Sequence, residues 1–168
     1  MSSARAISIL AITVLAEMAV AAEDNHVPLP AEFINRAATS GTYEIEASRL
    51  ALTRSSSATI KAFAQTMIID HAKAAEELKA VAGRFPIPEE LDSAHQDLMQ
   101  HLSAAAADVF DKTYWQQQTD AHKEAVSLFT LYSAKGENGA VKGFAAKTLP
   151  ILQHHQTMLG QMEAQFGQ

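Results

Sequence analysis

The sequence predicts an all-α protein built on four long amphipathic helices arranged as two hairpins. Three observations carry that reading. From Pro30 onward Ala, Leu, Gln, Glu and Lys dominate, and apolar residues recur every three or four positions with no competing strand alternation. RSSSATIKAFA, from Arg54, aligns without a gap with KGENGAVKGFA, from Lys135, and pairs Phe63 with Phe144. Between the repeats lies RFPIP, whose two prolines cannot sit inside a helix. A helical hairpin repeated twice suggests a bundle with internal pseudo-symmetry.

The N-terminus stands apart from that domain. Arg5 precedes the apolar run AISILAITVL, and AEMAVAAED follows with small residues suited to a signal peptidase. Positive start, short apolar centre and small-residue exit read as a secretory signal over residues 1–22, cleaved after Ala22. An N-terminal membrane anchor is the alternative, although the run is too short for a span. The expectation is a periplasmic protein with no integral span after cleavage. Residues 23–30 form a flexible mature N-terminus, and 31–168 the bundle domain.

The chain of 168 residues contains no cysteine, so even in an oxidising compartment the domain is held by packing alone. A lipid-bearing cysteine is excluded for the same reason. Net charge is −6 with no basic cluster, which argues against nucleic acid as a partner.

The first helix is expected over Ala31 to Arg54, led by the rigid HVPLP. Ser55 to Ser57 supply a turn and an N-cap for the second, which reaches Gly83. A shorter amphipathic stretch runs from Glu89 to Ser103. The third long helix covers Ala106 to Lys135 and ends at GENG, and the fourth runs from Ala140 to Phe166 with Pro150 inside it. That proline should kink the helix and release the carbonyl of Ala146. The link from Arg84 to Ala105 would cover about 22 Å in its helical part and about 15 Å in its extended ends. It can therefore run the length of the bundle. This favours the crossover topology of ferritin-like four-helix folds, with a short extra helix in the link.

Each long helix carries one polar, metal-competent residue near the middle of its inward stripe. These are Glu44 among Ile34, Ala37, Gly41, Ser48 and Ala51, and His71 among Phe63, Met67, Ala74 and Leu78. His122 follows Trp115 and Gln118 and precedes Ala125 and Phe129, while His155 lies among Thr148, Ile151, Met158 and Met162. Counted from the two turns, the members of each hairpin differ in height by about 3–5 Å, and their side chains lean towards each other.

Three imidazoles and a carboxylate suit one zinc, iron, manganese or copper ion. Met67, Met158 and Met162 nearby raise copper among these, although methionine commonly serves as core filler. A di-iron centre is disfavoured: Ile68 and Leu152 stand three residues before His71 and His155, where Glu-x-x-His needs carboxylates. The competing reading is a hydrogen-bonded polar core without metal, in which Glu44 satisfies an imidazolium. Asp70, Asp120 and His154 fall off the central stripes and are expected in solvent. No cysteine nucleophile, phosphate loop or serine elbow is present, so no catalytic residue is assigned.

The stretch from about Glu32 to Gln165 resembles an exported bacterial family, domain of unknown function 4142, some members of which carry an outer-membrane label. The resemblance rests on EIEASRLA around Glu44, KAFAQTMIIDH ending at His71, ELDSAHQDL in the link and FDKTY from Phe110. It also rests on His122 and on KGFAAKTLPILQHH, whose Leu-Pro-x-Leu-x-x-His pattern selects His155 over His154. The resemblance implies a ferritin-like bundle exported to the envelope and brings no reaction. Three functions stand as expectations. The first is a bundle binding a single transition-metal ion through Glu44, His71, His122 and His155. The second is an envelope or stress-related interaction module without metal, engaging a protein partner or a second copy. The third is a metal-dependent enzyme, to which an open coordination position would point.

Overall fold

A computed structural model describes residues 26–167. The segment read as an export signal, and residues 23–25 behind it, lie outside the described residues. Among those described the chain is all-helical, with five α-helices and no strand. They are α1 (Pro30–Arg54), α2 (Ala58–Ala82), α3 (Ser93–Ala104), α4 (Phe110–Lys135) and α5 (Gly139–Phe166). None of them is long and apolar enough to cross a membrane.

Local chemistry sets the helix ends. Pro30 opens α1, where its missing N–H would have had no intrahelical partner. The Ser57 hydroxyl accepts from the Ile60 N–H at 3.3 Å to cap α2, and the Asn138 side chain accepts from the Ala140 and Val141 N–H groups, each at 3.1 Å, to cap α5. The helix in the link starts at Ser93, four residues later than its periodicity suggested, because the Asp92 carboxylate accepts from the His95 N–H at 2.9 Å and fixes the start there. Likewise α4 starts at Phe110 instead of Ala106: residues 106–109 form a turn closed by the Val109 N–H on the Ala106 carbonyl at 3.2 Å. Helix α5 continues unbroken through Pro150. Both Pro150 and Ala146 are exposed, so the helix loses that hydrogen bond on its solvent side.

Helix α1 packs chiefly on α2, and α4 on α5; α2 also meets α5 and α1 meets α4, while α3 lies against α1 and α4. The apolar core is divided in two. One cluster gathers Ala47, Ala51, Ile60, Phe63, Met67, Phe110, Tyr114, Trp115, Leu159 and Met162. The other gathers Phe33, Ile34, Leu78, Ala82, Leu128, Phe129, Tyr132, Val141, Phe144 and Leu152, with Phe33 stacked on Tyr132 at 4.1 Å between centroids. Every long helix passes from one cluster to the other. The residue at each passage is Glu44, His71, His122 or His155, and all four are buried.

Helix α3 is held mainly by two polar anchors and the buried Leu102. The Arg54 guanidinium donates to the carbonyls of Leu102, Ser103 and Ala105 at 3.3, 2.7 and 2.7 Å, and lies 4.6 Å over the Phe110 ring. These carbonyls close the C-terminal end of α3, where a cation is favoured. Tyr43 donates to Gln117 at 3.0 Å, and Gln117 in turn donates to the Leu98 carbonyl at 3.1 Å. Replacing Arg54 with Met keeps the stem but removes the charge-assisted bonds. It is expected to cost about 1–3 kcal/mol and to accelerate amide exchange in α3 more than in α2 or α5. Unchanged exchange in α3 would show that Arg54 does not hold it.

Candidate metal centre

The four residues that the stripes singled out meet in one buried layer. Glu44 is 1 % exposed, His71 7 %, and His122 and His155 are fully enclosed. One nitrogen from each of His71, His122 and His155 lies within 4.8 Å of the other two. Their ring centroids are 5.3 to 5.8 Å apart, and the edge of Phe63 closes one side at 6.4 Å from His122 and His155.

The outward nitrogen of every ring is tied to an oxygen. The His122 Nδ1–H donates to the Gln118 carbonyl one turn earlier at 2.9 Å. The His155 Nε2–H donates to Asp70 Oδ2 at 2.9 Å. His71 Nδ1 shares a proton with Glu44 Oε2 at 3.0 Å. A carbonyl oxygen can only accept, so the first of these contacts fixes a ring tautomer, and the carboxylate of Asp70 does the same for His155. The inward nitrogens are then His122 Nε2 and His155 Nδ1, which face each other at 3.3 Å, and His71 Nε2, which is buried without a hydrogen-bond partner among the described residues.

Glu44 is thus at the centre of the layer but on the far edges of two rings. Its Oε2 meets His71 Nδ1, and its Oε1 lies 3.4 Å from His122 Nδ1, whose hydrogen is already committed to Gln118. Asp70, expected in solvent, is instead half-buried and bonded to His155 across the α2–α5 contact. Its position beside His71 turns it about 100° around α2, away from the central stripe and towards α5. The Gln118 carbonyl is a backbone partner, which no side-chain pattern signals. Asp120 and His154 are exposed as expected.

A cavity of about 450 Å³ adjoins the layer. Glu44, His71 and His155 form its polar floor, and Ala74, Leu78, Leu128, Phe129 and Leu152 contribute apolar walls. Asp92, Asp120, Glu124 and Arg36 also border it.

Burial dominates the electrostatics. It pushes the Glu44 carboxyl up to about 8. It also lowers His71 well below its ordinary value, reinforced by His122 and His155. His122 is lowered to about 4, first by burial, with the Gln118 carbonyl opposing and His155 adding to the shift. His155 is lowered by burial and partly restored by Asp70, while His154 next to it lowers it further. The layer therefore resists holding a proton as its compensating charge.

These shifts set the stability of the metal-free protein against pH. Below about pH 6.5 the unfolded chain takes up protons that the three buried imidazoles refuse, so stability falls as the medium is acidified; for His122 alone the loss reaches about 3 kcal/mol by pH 4. Above about pH 4.5 Glu44 acts the other way, because the folded state keeps a proton that the unfolded state has released. Three imidazoles outweigh one carboxyl on the acid side, leaving a maximum near pH 6.5 and a decline towards pH 8. Urea unfolding in the presence of chelator, followed by the fluorescence of Trp115, should trace this bell. Glu44→Gln should flatten its alkaline side. A maximum at pH 8 or above would contradict the assignment of Glu44.

The sequence profile of the family described as domain of unknown function DUF4142 matches residues 15–162. No curated protein matches the chain, and no solved structure does. The profile covers the five helices almost to the end of α5 and includes all four residues of the buried layer. The chain belongs to the DUF4142 family.

Proposed function

We propose that this protein binds one transition-metal ion between His71 Nε2, His122 Nε2 and His155 Nδ1. The observation that carries the reading is the 3.3 Å approach of two nitrogens whose rings have each given their hydrogen to an oxygen on the opposite edge. Two imidazole lone pairs repel at that distance unless a cation lies between them. An N–H···N bond would need one ring to turn a lone pair towards the Gln118 carbonyl or the Asp70 carboxylate. A proton is opposed by burial. A metal ion meets the geometry: two nitrogens each about 2.0–2.1 Å from a tetrahedral centre stand about 3.3 Å apart.

In this reading Glu44 orients His71 from behind, as Gln118 and Asp70 orient His122 and His155. Carboxylate and carbonyl partners of this kind fix ring tautomers and raise ligand basicity. Three protein ligands leave a fourth position open, the pattern of sites that exchange or activate a bound molecule. Nitrogen ligands suit zinc, copper, iron or nickel. Binding should release protons, since Glu44 must ionise to accept from His71.

The wider architecture we read as a ferritin-like four-helix bundle. Helices α1 and α5 start in the cluster around Phe33 and end in the one around Phe63, whereas α2 and α4 run the other way. Consecutive long helices α2 and α4 then share a direction, and the link with α3 must return along the bundle. Export to the periplasm is supported by Arg5, the apolar run after it and the small residues up to Ala22.

Titration of the purified, chelator-treated chain with zinc or cobalt should give one tightly bound ion per chain. His71→Ala, His122→Ala and His155→Ala should each abolish tight binding. Glu44→Gln and Asp70→Asn should weaken it by about 10–100-fold, and His154→Ala should leave it unchanged. Absence of stoichiometric metal in a folded protein would favour the hydrogen-bonded core without metal.

A further inference from the structure

The cavity beside the buried layer has a volume of about 450 Å³, inside the range of about 300–1,000 Å³ common to small-molecule sites. The inward ring nitrogens are sealed from it: His122 and His155 have no exposed surface, and His71 Nε2 is buried. An occupant therefore meets side chains and not the metal position, and the walls and mouth alone decide what it can be.

The walls are apolar, and small residues keep them apart. Leu78, Leu128, Phe129 and Leu152 present hydrocarbon and an aromatic ring, which an apolar body would cover. On α1 Ala37 and Gly41 border the space one turn apart, and on α4 Ala121 and Ala125 do the same.

The mouth carries charge of one sign. Asp120 and Glu124, one turn apart on α4, border the cavity and are exposed, as is Asp92 ahead of α3. Asp120 accepts from the neutral Gln116 amide at 3.2 Å, and Asp92 from the His95 backbone N–H at 2.9 Å, so these bonds bring no compensating charge. Arg36 is the one lysine or arginine among the described residues of the lining, and it lies 3.9 Å from Glu32, an acid outside the cavity. The floor has the same sign: Glu44 borders the space, and its Oε1 is buried without a hydrogen-bond partner among the described residues. Such an opening attracts cations and repels anions.

A hydrated inorganic ion gains nothing from the leucines, and a plain hydrocarbon gains nothing from the carboxylates. A molecule that joins both chemistries uses the whole site. We propose that the cavity binds a small amphiphilic organic cation, whose apolar body lies among Leu78, Leu128, Phe129 and Leu152 and whose ammonium head rests at the mouth beside Asp120 and Glu124.

The test uses the purified full chain, as isolated and after chelation, in calorimetric titrations with three probes that share one body: naphthylethylammonium, naphthylethanol and naphthylacetate. Methylammonium reports the head alone. The ammonium is expected to bind tightest, the alcohol about threefold or more weaker, and the carboxylate weakest. Methylammonium should be weaker than naphthylethylammonium by about 100-fold or more. Added salt should weaken the ammonium and spare the alcohol. Asp120→Asn combined with Glu124→Gln should bring the ammonium down to the affinity of the alcohol. Ala37→Leu, which fills part of the cavity, should weaken all three naphthyl probes; Ala74→Leu on α2 serves where that variant does not fold. An alcohol as tight as the ammonium, or a carboxylate tighter than either, overturns the cationic class. Unchanged binding in a folded, filled variant, no naphthyl binding by the folded chain, or binding that vanishes on chelation overturns the cavity as the site.

Discussion

The structure depends on one constraint: four ionisable side chains are buried in a single layer and must be satisfied there. Carrying a charged group into an apolar interior costs several kcal/mol unless it is paired or neutralised. Here the cost is met by joining the groups to one another and to nearby oxygens. Glu44 meets His71, Asp70 meets His155, and the Gln118 carbonyl meets His122. Each contact except the last spans two helices, so the layer also fixes how α1, α2 and α5 are rotated about their axes.

The division of the apolar core follows from this layer. A continuous stripe of Leu and Phe would let neighbouring helices slide by a turn and bury nearly as much surface. A polar layer between the Phe63 and Phe33 clusters removes that freedom, because a one-turn slip would set His71 or His155 against hydrocarbon and leave its partner stranded. Register and chemistry are thereby coupled, because the residues that would coordinate a metal also disfavour a slipped alignment of the core.

The lowered proton affinity of the three imidazoles and the raised proton affinity of Glu44 share one cause, the absence of water around them. An environment that excludes a proton while presenting three nitrogens is one that a divalent ion can occupy, because the ion brings stronger bonds to the same lone pairs. The adjoining cavity borders the layer at Glu44, His71 and His155. Its alanines Ala74 and Ala125 sit one turn from His71 and His122, and Ala37 two turns from Glu44, on the same helix faces, and their short side chains leave the space open.

Fold class, the hairpin repeat and the identity of the four central residues were legible in the chain. A period of 3.6 residues fixes which side chains share a helix face, and a buried Glu or His stands out against an apolar stripe. The helix starts at Ser93 and Phe110 were less so, since a local cap and a turn override periodicity by a few residues. Tertiary structure alone decided the roles within the layer. Whether Glu44 faces the inward or the outward nitrogens depends on ring torsions that packing sets, and the closeness of Asp70 to His155 depends on how α2 is rotated against α5. Sequence specifies which residues lie on one face of a helix; the angle at which two faces meet arises only when all four helices close on each other.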